Sequence, residues 1–331
     1  MLKTLTVTVT LPAVLTIALA AAQTTPVRLL SASEARSVRV TESDTQSPDG
    51  VRLYYRVAGS GHEVVIAPFA LYHGTALDRL AAGRRVVTYD PRGRGKSAAV
   101  SPDKVSRDLL LADLDAVRRA VGGERVALIG WSGGGMETFV YAMDNPGRVG
   151  RLVQLAPVAP RFAPYSEQMM ADRRKRTDQA AATALEARVK AGQFKANPAA
   201  LCRAQNDVDL PALLADTRHV TLIPDVCTSA NEYPETLGAY FAGLFKSIAG
   251  FDLVPSLGKV QIARLVIHPL QDNIPLAGNE EWVRDQPNAR ILTIDGSGHF
   301  PLYEQPEKTL RAIATFLDGE WPPDARVIRS Q

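Results

Sequence analysis

The stretch Val126-Ala-Leu-Ile-Gly130-Trp131-Ser132-Gly133-Gly134-Gly135-Met136 decides how the chain is read. It opens as a continuous apolar run of the buried-strand kind, passes through Gly-x-Ser-x-Gly, and continues into a segment, 135–143, with helical character. Small residues two before and two after the serine allow a sharp strand-to-helix turn. That turn lifts the Ser132 hydroxyl above a sheet and points a helix N-terminus at it. An ordinary glycine-rich turn has the same letters, so the reading depends on what flanks it.

Upstream, Val51-Arg-Leu-Tyr-Tyr-Arg-Val57 alternates like a strand, Gly59-Ser60-Gly61 turns the chain, and Val64-Val65-Ile66 is a second buried run. The strand 84–90 ends in Pro91-Arg92-Gly93-Arg94-Gly95-Lys96-Ser97, whose glycines mark a tight turn. From 102 to 121 the apolar residues fall at helical spacing, and Gly122-Gly123 stops the helix. Downstream, 151–156 is another strand, which completes the β-α-β alternation of a mostly parallel sheet with right-handed crossovers. Between 157 and 250 the pattern changes to Ala-rich, charged, helical sequence (165–190, 198–214 and 235–248) with no buried-strand run. Strands resume at 264–268 and 290–294, and a helix starting at Pro306 closes the series. The chain thus divides into a first core part (50–159), a helical cap (160–250) and a second core part (251–320). Residues 23–49, rich in Ser, Thr and charge without an apolar period, are expected to be a flexible lead-in.

A serine on such a turn is inert without a base, and the base needs a carboxylate to orient it. Both follow the serine, each in a loop after a later strand: Pro269-Leu270-Gln271-Asp272 after 262–268, and Asp295-Gly296-Ser297-Gly298-His299-Phe300 after 290–294. In the order Ser132, Asp272, His299, the histidine takes the serine proton and the aspartate fixes the imidazole tautomer. A developing oxyanion needs two N–H donors. Gly133 supplies one and the loop after 64–68 the other, from Ala70 or its neighbour Phe69. His73 competes for the base role and Asp295 for the acid role; the first breaks the chain order, and the second sits four positions from His299 on its own loop. The basic run Arg173-Arg174-Lys175-Arg176 reads as a solvated helix face. Neither metal-ligand spacing nor a G-x-G-x-x-G or P-loop occurs, so no metal and no cofactor is expected.

Composition agrees with a globular enzyme. Of 331 residues 46% are hydrophobic and 22% charged, which excludes bulk disorder and a polytopic membrane protein. A net charge of +3 without a long basic stripe offers a phosphate backbone few partners, so no nucleic-acid partner is expected. Lys3, an apolar stretch over 5–22 and Ala20-Ala21-Ala22 before Gln23 read as a signal peptide, 1–22. Its removal leaves no stable membrane insertion and a secreted or periplasmic protein; the other reading is an uncleaved membrane anchor, for which about 18 residues are just long enough. In that oxidising setting Cys202 and Cys227 are expected to form a disulfide, the other reading being two buried thiols. Closing a loop of that size restrains the unfolded chain by about 3.5 kcal/mol in the entropy model.

Together these motifs resemble the α/β-hydrolase superfamily, over nearly all of the chain from Val51 to Trp321. Tyr89-Asp90-Pro91-Arg92-Gly93-Arg94-Gly95-Lys96-Ser97 is similar to its D-x-R-G-x-G-x-S turn. Asn145-Pro146-Gly147-Arg148-Val149 resembles the segment before the strand that follows the nucleophile helix, and Gly298-His299-Phe300-Pro301 its histidine loop. The nearest branch is the secreted proline iminopeptidase-like hydrolases, on Pro198-Ala-Ala-Leu-Cys202-Arg203-Ala204, Cys227 and the tail Gly319-Glu320-Trp321-Pro322. The resemblance implies an α/β-hydrolase fold with an inserted cap and hydrolysis of an ester or amide in a small-molecule or peptide substrate through an acyl-enzyme. Aminopeptidase activity comes first, a carboxylesterase is the alternative, and a non-catalytic binding protein on the scaffold stands third. Such peptidases hold the substrate ammonium with cap carboxylates, for which Glu232 and Glu235 are the candidates here, with Trp131 a further substrate contact. Two departures stand out. Pro68-Phe69 replaces the family's His-Gly at the oxyanion loop, and tryptophan precedes Ser132 where the iminopeptidases have it following the nucleophile.

Overall fold

The computed structural model describes residues 27–330; the signal peptide read at 1–22 and the first residues of the lead-in lie outside them. Eight strands form one sheet in the order β1-β2-β4-β3-β5-β6-β7-β8. They are β1 Val40–Gln46, β2 Arg52–Ala58, β3 Glu63–Pro68, β4 Arg84–Tyr89, β5 Val126–Trp131, β6 Val149–Leu155, β7 Ala263–Pro269 and β8 Ala289–Ile294. β1 runs antiparallel to β2 and β2 to β4, while every pair from β4 across to β8 is parallel. The helices are α1 Ala32–Arg36, α2 Ala70–His73, α3 Arg107–Ala120, α4 Gly133–Asp144, α5 Tyr165–Arg176, α6 Gln179–Lys190, α7 Pro198–Asp209, α8 Pro234–Ser247, α9 Leu276–Glu281, α10 Pro301–Glu304 and α11 Pro306–Leu317.

Covering both faces of the sheet explains its continuous apolar runs. Along β3, Val64 and Ile66 face α3 and α4, through Leu110, Leu114, Val117 and Phe139, while Val65 and Ala67 face α11, through Leu310, Ile313 and Phe316. Each such Ile or Leu, fully removed from water, contributes about 1.5–3 kcal/mol. This two-faced core is the α/β-hydrolase fold that the order of elements predicts.

The flexible lead-in expected over 23–49 is corrected by the structure from residue 27 onward. Helix α1 is closed by a capping box, with Ser31 Oγ accepting the Glu34 N–H at 3.2 Å and the Glu34 carboxylate accepting the Ser31 N–H at 2.7 Å. β1 then pairs along its whole length with β2. Asp49 accepts from both terminal nitrogens of the buried Arg92 at 2.9 Å, and Arg92 also grips Asp113. As an edge strand β1 has six exposed residues of seven, so there is no apolar alternation to read. The second core part likewise runs past residue 320. Arg326 bridges Ile291 on β8, and Trp321 packs on Phe316 at 5.1 Å between ring centres.

Between β6 and β7 stand α5 to α8 and several 3₁₀ turns. The neck of this insertion is closed by a bridge between Arg161 and Asp252. The helical stretch read as one element over 165–190 breaks in two because Asp178 caps a new N-terminus, accepting the Ala180 and Ala181 N–H groups at 2.9 and 3.0 Å. Cys202 and Cys227 are joined in a disulfide with their Cα atoms 5.7 Å apart. Neither α5 nor α6 has a buried residue, whereas α7 and α8 bury Cys202, Tyr240 and Leu244. Among the described residues no helix is long and apolar enough to cross a membrane.

Candidate active site

Ser132 sits between β5 and α4 with φ 54° and ψ −124°, a conformation a side chain rarely adopts. Gly130 makes the turn possible: a Cβ there would lie 2.2 Å from Thr138 Oγ1 and 2.3 Å from Gly134 O. The Ser132 N–H bonds Leu155 O at 3.0 Å and its carbonyl accepts Val158 N–H at 3.2 Å, so β6 and the residues after it fix the turn from both sides.

Two later loops bring Asp272 and His299 to it. His299 Nε2 lies 2.9 Å from Ser132 Oγ, and His299 Nδ1 lies 3.0 and 3.2 Å from the two Asp272 carboxylate oxygens. An ionised carboxylate only accepts, so Nδ1 carries the proton and Nε2 is left to accept from the Ser132 hydroxyl. Both partners are buried, Asp272 being 7% and His299 8% exposed, which keeps water from competing for these bonds. Asp295, the rival acid, is exposed and accepts from Gln271 Nε2 at 2.8 Å. His73, the rival base, is buried against the edge of Trp131, and burial pushes it down to about 4.

The histidine loop is stitched to its surroundings by groups that the sequence does not mark. Gln271 Oε1 accepts the Gly296 and Ser297 N–H groups at 2.8 and 3.0 Å. The His299 N–H itself donates to Leu213 O, a cap carbonyl, at 2.7 Å. Glu304, buried, accepts Gly298 N–H at 2.6 Å on one oxygen and Ala215 N–H at 2.9 Å on the other. A Cβ at position 298 would meet Leu213 O at 2.2 Å, so only glycine lets cap and loop approach this closely.

Gly133 and Ala70 open α4 and α2, and the first N–H groups of a helix have no acceptor within it. Space beside Gly133 is open: a Cβ there would meet nothing within 4 Å. Phe69, ahead of Ala70, holds φ 71°, the left-handed conformation that the family's glycine adopts without strain. Its ring lies against Gly134, within 3.0 Å of where a Cβ would stand.

Of the sequence-derived substrate contacts, Glu232 is corrected by an ion pair, and Trp131 and Glu235 are placed beside the histidine loop and on the surface of α8. The Trp131 indole N–H donates to His299 O at 2.8 Å, and its ring packs on His299 and Phe300, so it buttresses the histidine loop. Glu232 is 3% exposed and already saturated. It accepts from Arg94 Nε and Nη2 at 3.0 and 2.8 Å, from Gly95 N–H at 2.9 Å and from the Tyr72 hydroxyl at 3.0 Å. Burial works against its charge, yet Arg94 holds its carboxyl below the usual range. Glu235 is exposed in the first turn of α8, the ordinary place for a surface carboxylate. Among the described residues no group of three or more His, Cys, Asp and Glu is placed to hold a metal ion.

A model of the alpha/beta hydrolase fold matches residues 57–306. The chain belongs to that family. This hydrolase is 26% identical over 305 residues to the 2-hydroxy-6-oxononadienedioate/2-hydroxy-6-oxononatrienedioate hydrolase of Paraburkholderia xenovorans, an alignment covering 87% of this chain and 97% of that one. Its fold is similar to that of a serine hydrolase from Cycloclasticus zankles (TM-score 0.64, 20% identity, 85% and 99% of the two chains). It is also similar to that of the proline iminopeptidase of Mycobacterium smegmatis (TM-score 0.60, 20% identity, 84% and 98%).

One buried acid on α4 lies outside this constellation. Glu137 is 5% exposed, and burial, with Asp113 adding and the Arg94 charge opposing, pushes its carboxyl from 4.5 up to about 8. Since the folded state holds this proton where the unfolded chain has lost it, the contribution is most favourable below about 4.5 and is lost as pH rises to about 8. Glu137→Gln, which cannot ionise, is therefore expected to match the wild type at pH 4.5 and to melt several degrees higher at pH 8, read from paired thermal melts across that range.

Proposed function

We propose that this hydrolase cleaves esters of small or lipophilic carboxylic acids through an acyl-enzyme on Ser132. The observation that carries the reading is the contact chain Ser132 Oγ, His299 Nε2, His299 Nδ1, Asp272, with hydroxyl and imidazole at 2.9 Å. In the first half-reaction His299 takes the Ser132 proton as Oγ attacks the carbonyl carbon. The N–H groups of Gly133 and Ala70 receive the negative oxygen, and the tetrahedral species collapses as His299 returns the proton to the departing alcohol. Water, deprotonated by the same imidazole, then releases the acid. Asp272 offsets the imidazolium charge in both halves.

Ester cleavage is favoured over aminopeptidase activity because, of the two candidate cap carboxylates, Glu232 is spoken for and Glu235 stands exposed on the surface of α8. Glu232 has four donors, and recruiting it would strip the buried Arg94 of the carboxylate that neutralises it. Export is part of the proposal, supported by the signal-like sequence at 1–22 and by a disulfide, which persists in oxidising compartments.

The decisive assay compares ethyl and p-nitrophenyl butyrate with prolyl- and alanyl-p-nitroanilide and with 2-hydroxy-6-oxononadienedioate. It uses oxidised protein beginning at Gln23, with Ser132→Ala as the blank. Turnover of both butyrates, the unactivated ethyl ester included, with silent anilides is the expected result. Ser132-dependent cleavage of the prolyl anilide at an efficiency matching the esters would replace the reading with aminopeptidase, and preference for the dienedioate would replace it with carbon–carbon bond hydrolysis.

A further inference from the structure

Arg94 and Glu232 form an ion pair with side chains 6% and 1% exposed, and it reaches the loop that carries Ala70 from two directions. The guanidinium lies over four aromatic rings, those of Phe69, Tyr72, Tyr240 and Phe241, at 5.0–5.7 Å from their centres. Phe69 precedes Ala70, and Tyr72 follows it by two positions, so the pair presses on both ends of the segment that presents the Ala70 N–H. Glu232 adds a directional bond, accepting the Tyr72 hydroxyl at 3.0 Å. The rest of this segment is tied to the core. Asp90 accepts the Leu71 N–H at 3.0 Å, and the Tyr303 hydroxyl lies 2.7 and 2.9 Å from the Tyr72 and His73 carbonyls.

The cap segment that brings Glu232 in is itself fixed. Ser229 Oγ donates to Gly95 O at 2.5 Å, and Asn231 Nδ2 donates to Gly95 O and Ser97 O at 3.0 and 2.8 Å. The disulfide lies directly behind: Cys202 and Cys227 pack with Val226 against Leu71, Tyr72 and Tyr233, and Cys202 Sγ lies 3.5 Å from Glu232 O. A strained Phe69, at φ 71° where the family's glycine would rest, needs neighbours that over-determine its backbone. The cluster supplies them.

We propose that Glu232 is a positioning residue for the oxyanion loop, holding α2 through Tyr72 and held in turn by Arg94 and the Cys202–Cys227 disulfide. The proposal rests on the serine-hydrolase reading for its effect on rate and on geometry alone for its effect on α2. Its consequence is that catalysis depends on a cap contact that never touches substrate.

Three variants test it: Tyr72→Phe, which keeps the ring and removes the bond to Glu232; Glu232→Gln; and the double variant Arg94→Met/Glu232→Leu, which folds without an unpaired buried charge. Each is expected to lower kcat about tenfold, a fraction of the loss when an oxyanion donor is removed outright. KM stays within about threefold, fluorophosphonate labelling of Ser132 slows in parallel, and amide hydrogen exchange over residues 70–73 accelerates. Wild-type kcat and wild-type exchange in Tyr72→Phe and in the double variant would overturn the proposal and leave the pair as a stabilising contact only. Absence of fluorophosphonate labelling in the wild type would instead sink the hydrolase reading, and exchange over 70–73 would still decide the positioning role.

Discussion

Ser132→Ala will abolish fluorophosphonate labelling and lower ester hydrolysis by about 10⁶-fold, while the melting temperature moves by no more than a degree or two. The rate loss follows from chemistry: without Oγ there is no acyl-enzyme, and what persists is the background from binding and from the N–H groups of Gly133 and Ala70. The unchanged stability follows from local structure. Ser132 occupies the N-cap of α4, yet its side chain makes no capping bond, so alanine forfeits none. Its φ of 54° is equally uncomfortable for serine and alanine, so no strain is added. Labelling, a progress curve and a thermal melt on the same preparation check all three parts. Labelling that survives the substitution assigns the nucleophile to another residue.

How far such a site is legible in a sequence depends on how local its causes are. The strands β3, β5, β6 and β7 are visible because burial on both faces demands unbroken apolar runs. Once they are placed, Ser132, Asp272 and His299 stand out as polar residues in the loops that leave β5, β7 and β8. β1 is invisible for the opposite reason: an edge strand with six exposed residues carries no periodicity that separates it from a disordered tail. The break between α5 and α6 has a local cause, the Asp178 cap, and a closer reading of Thr177-Asp178 finds it. Glu232 has no such signal. Its partner Arg94 stands 138 positions earlier, so a carboxylate near a helix start looks free to bind an ammonium until the fold closes an ion pair on it. Trp131 likewise has a distant partner that the sequence does not mark, its indole N–H being committed to a carbonyl 168 positions away.

Asp272→Asn will lower kcat by about 10⁴-fold, and Asp295→Asn will leave it within about twofold. Asp272 accepts from a proton-bearing Nδ1 at 3.0 Å and so leaves Nε2 unprotonated, facing Ser132. Asparagine presents one oxygen and one NH₂ group in the same place. One Asp272 oxygen also accepts the Ile274 N–H at 3.2 Å, so the amide oxygen of the introduced asparagine is drawn to that donor and its NH₂ is turned toward His299. The imidazole then accepts at Nδ1 and carries its proton on Nε2, the tautomer that cannot receive the serine proton. Position and burial are preserved, so fluorophosphonate labelling falls with kcat while KM for the butyrate ester stays within severalfold, a pattern that distinguishes a tautomer defect from a collapsed loop. Asp295 offers the control on the same scaffold, since it is exposed and bonded to Gln271. If Asp272→Asn retained more than about a hundredth of the wild-type rate, Asp272 would be a tether for the imidazole rather than the group that fixes its proton.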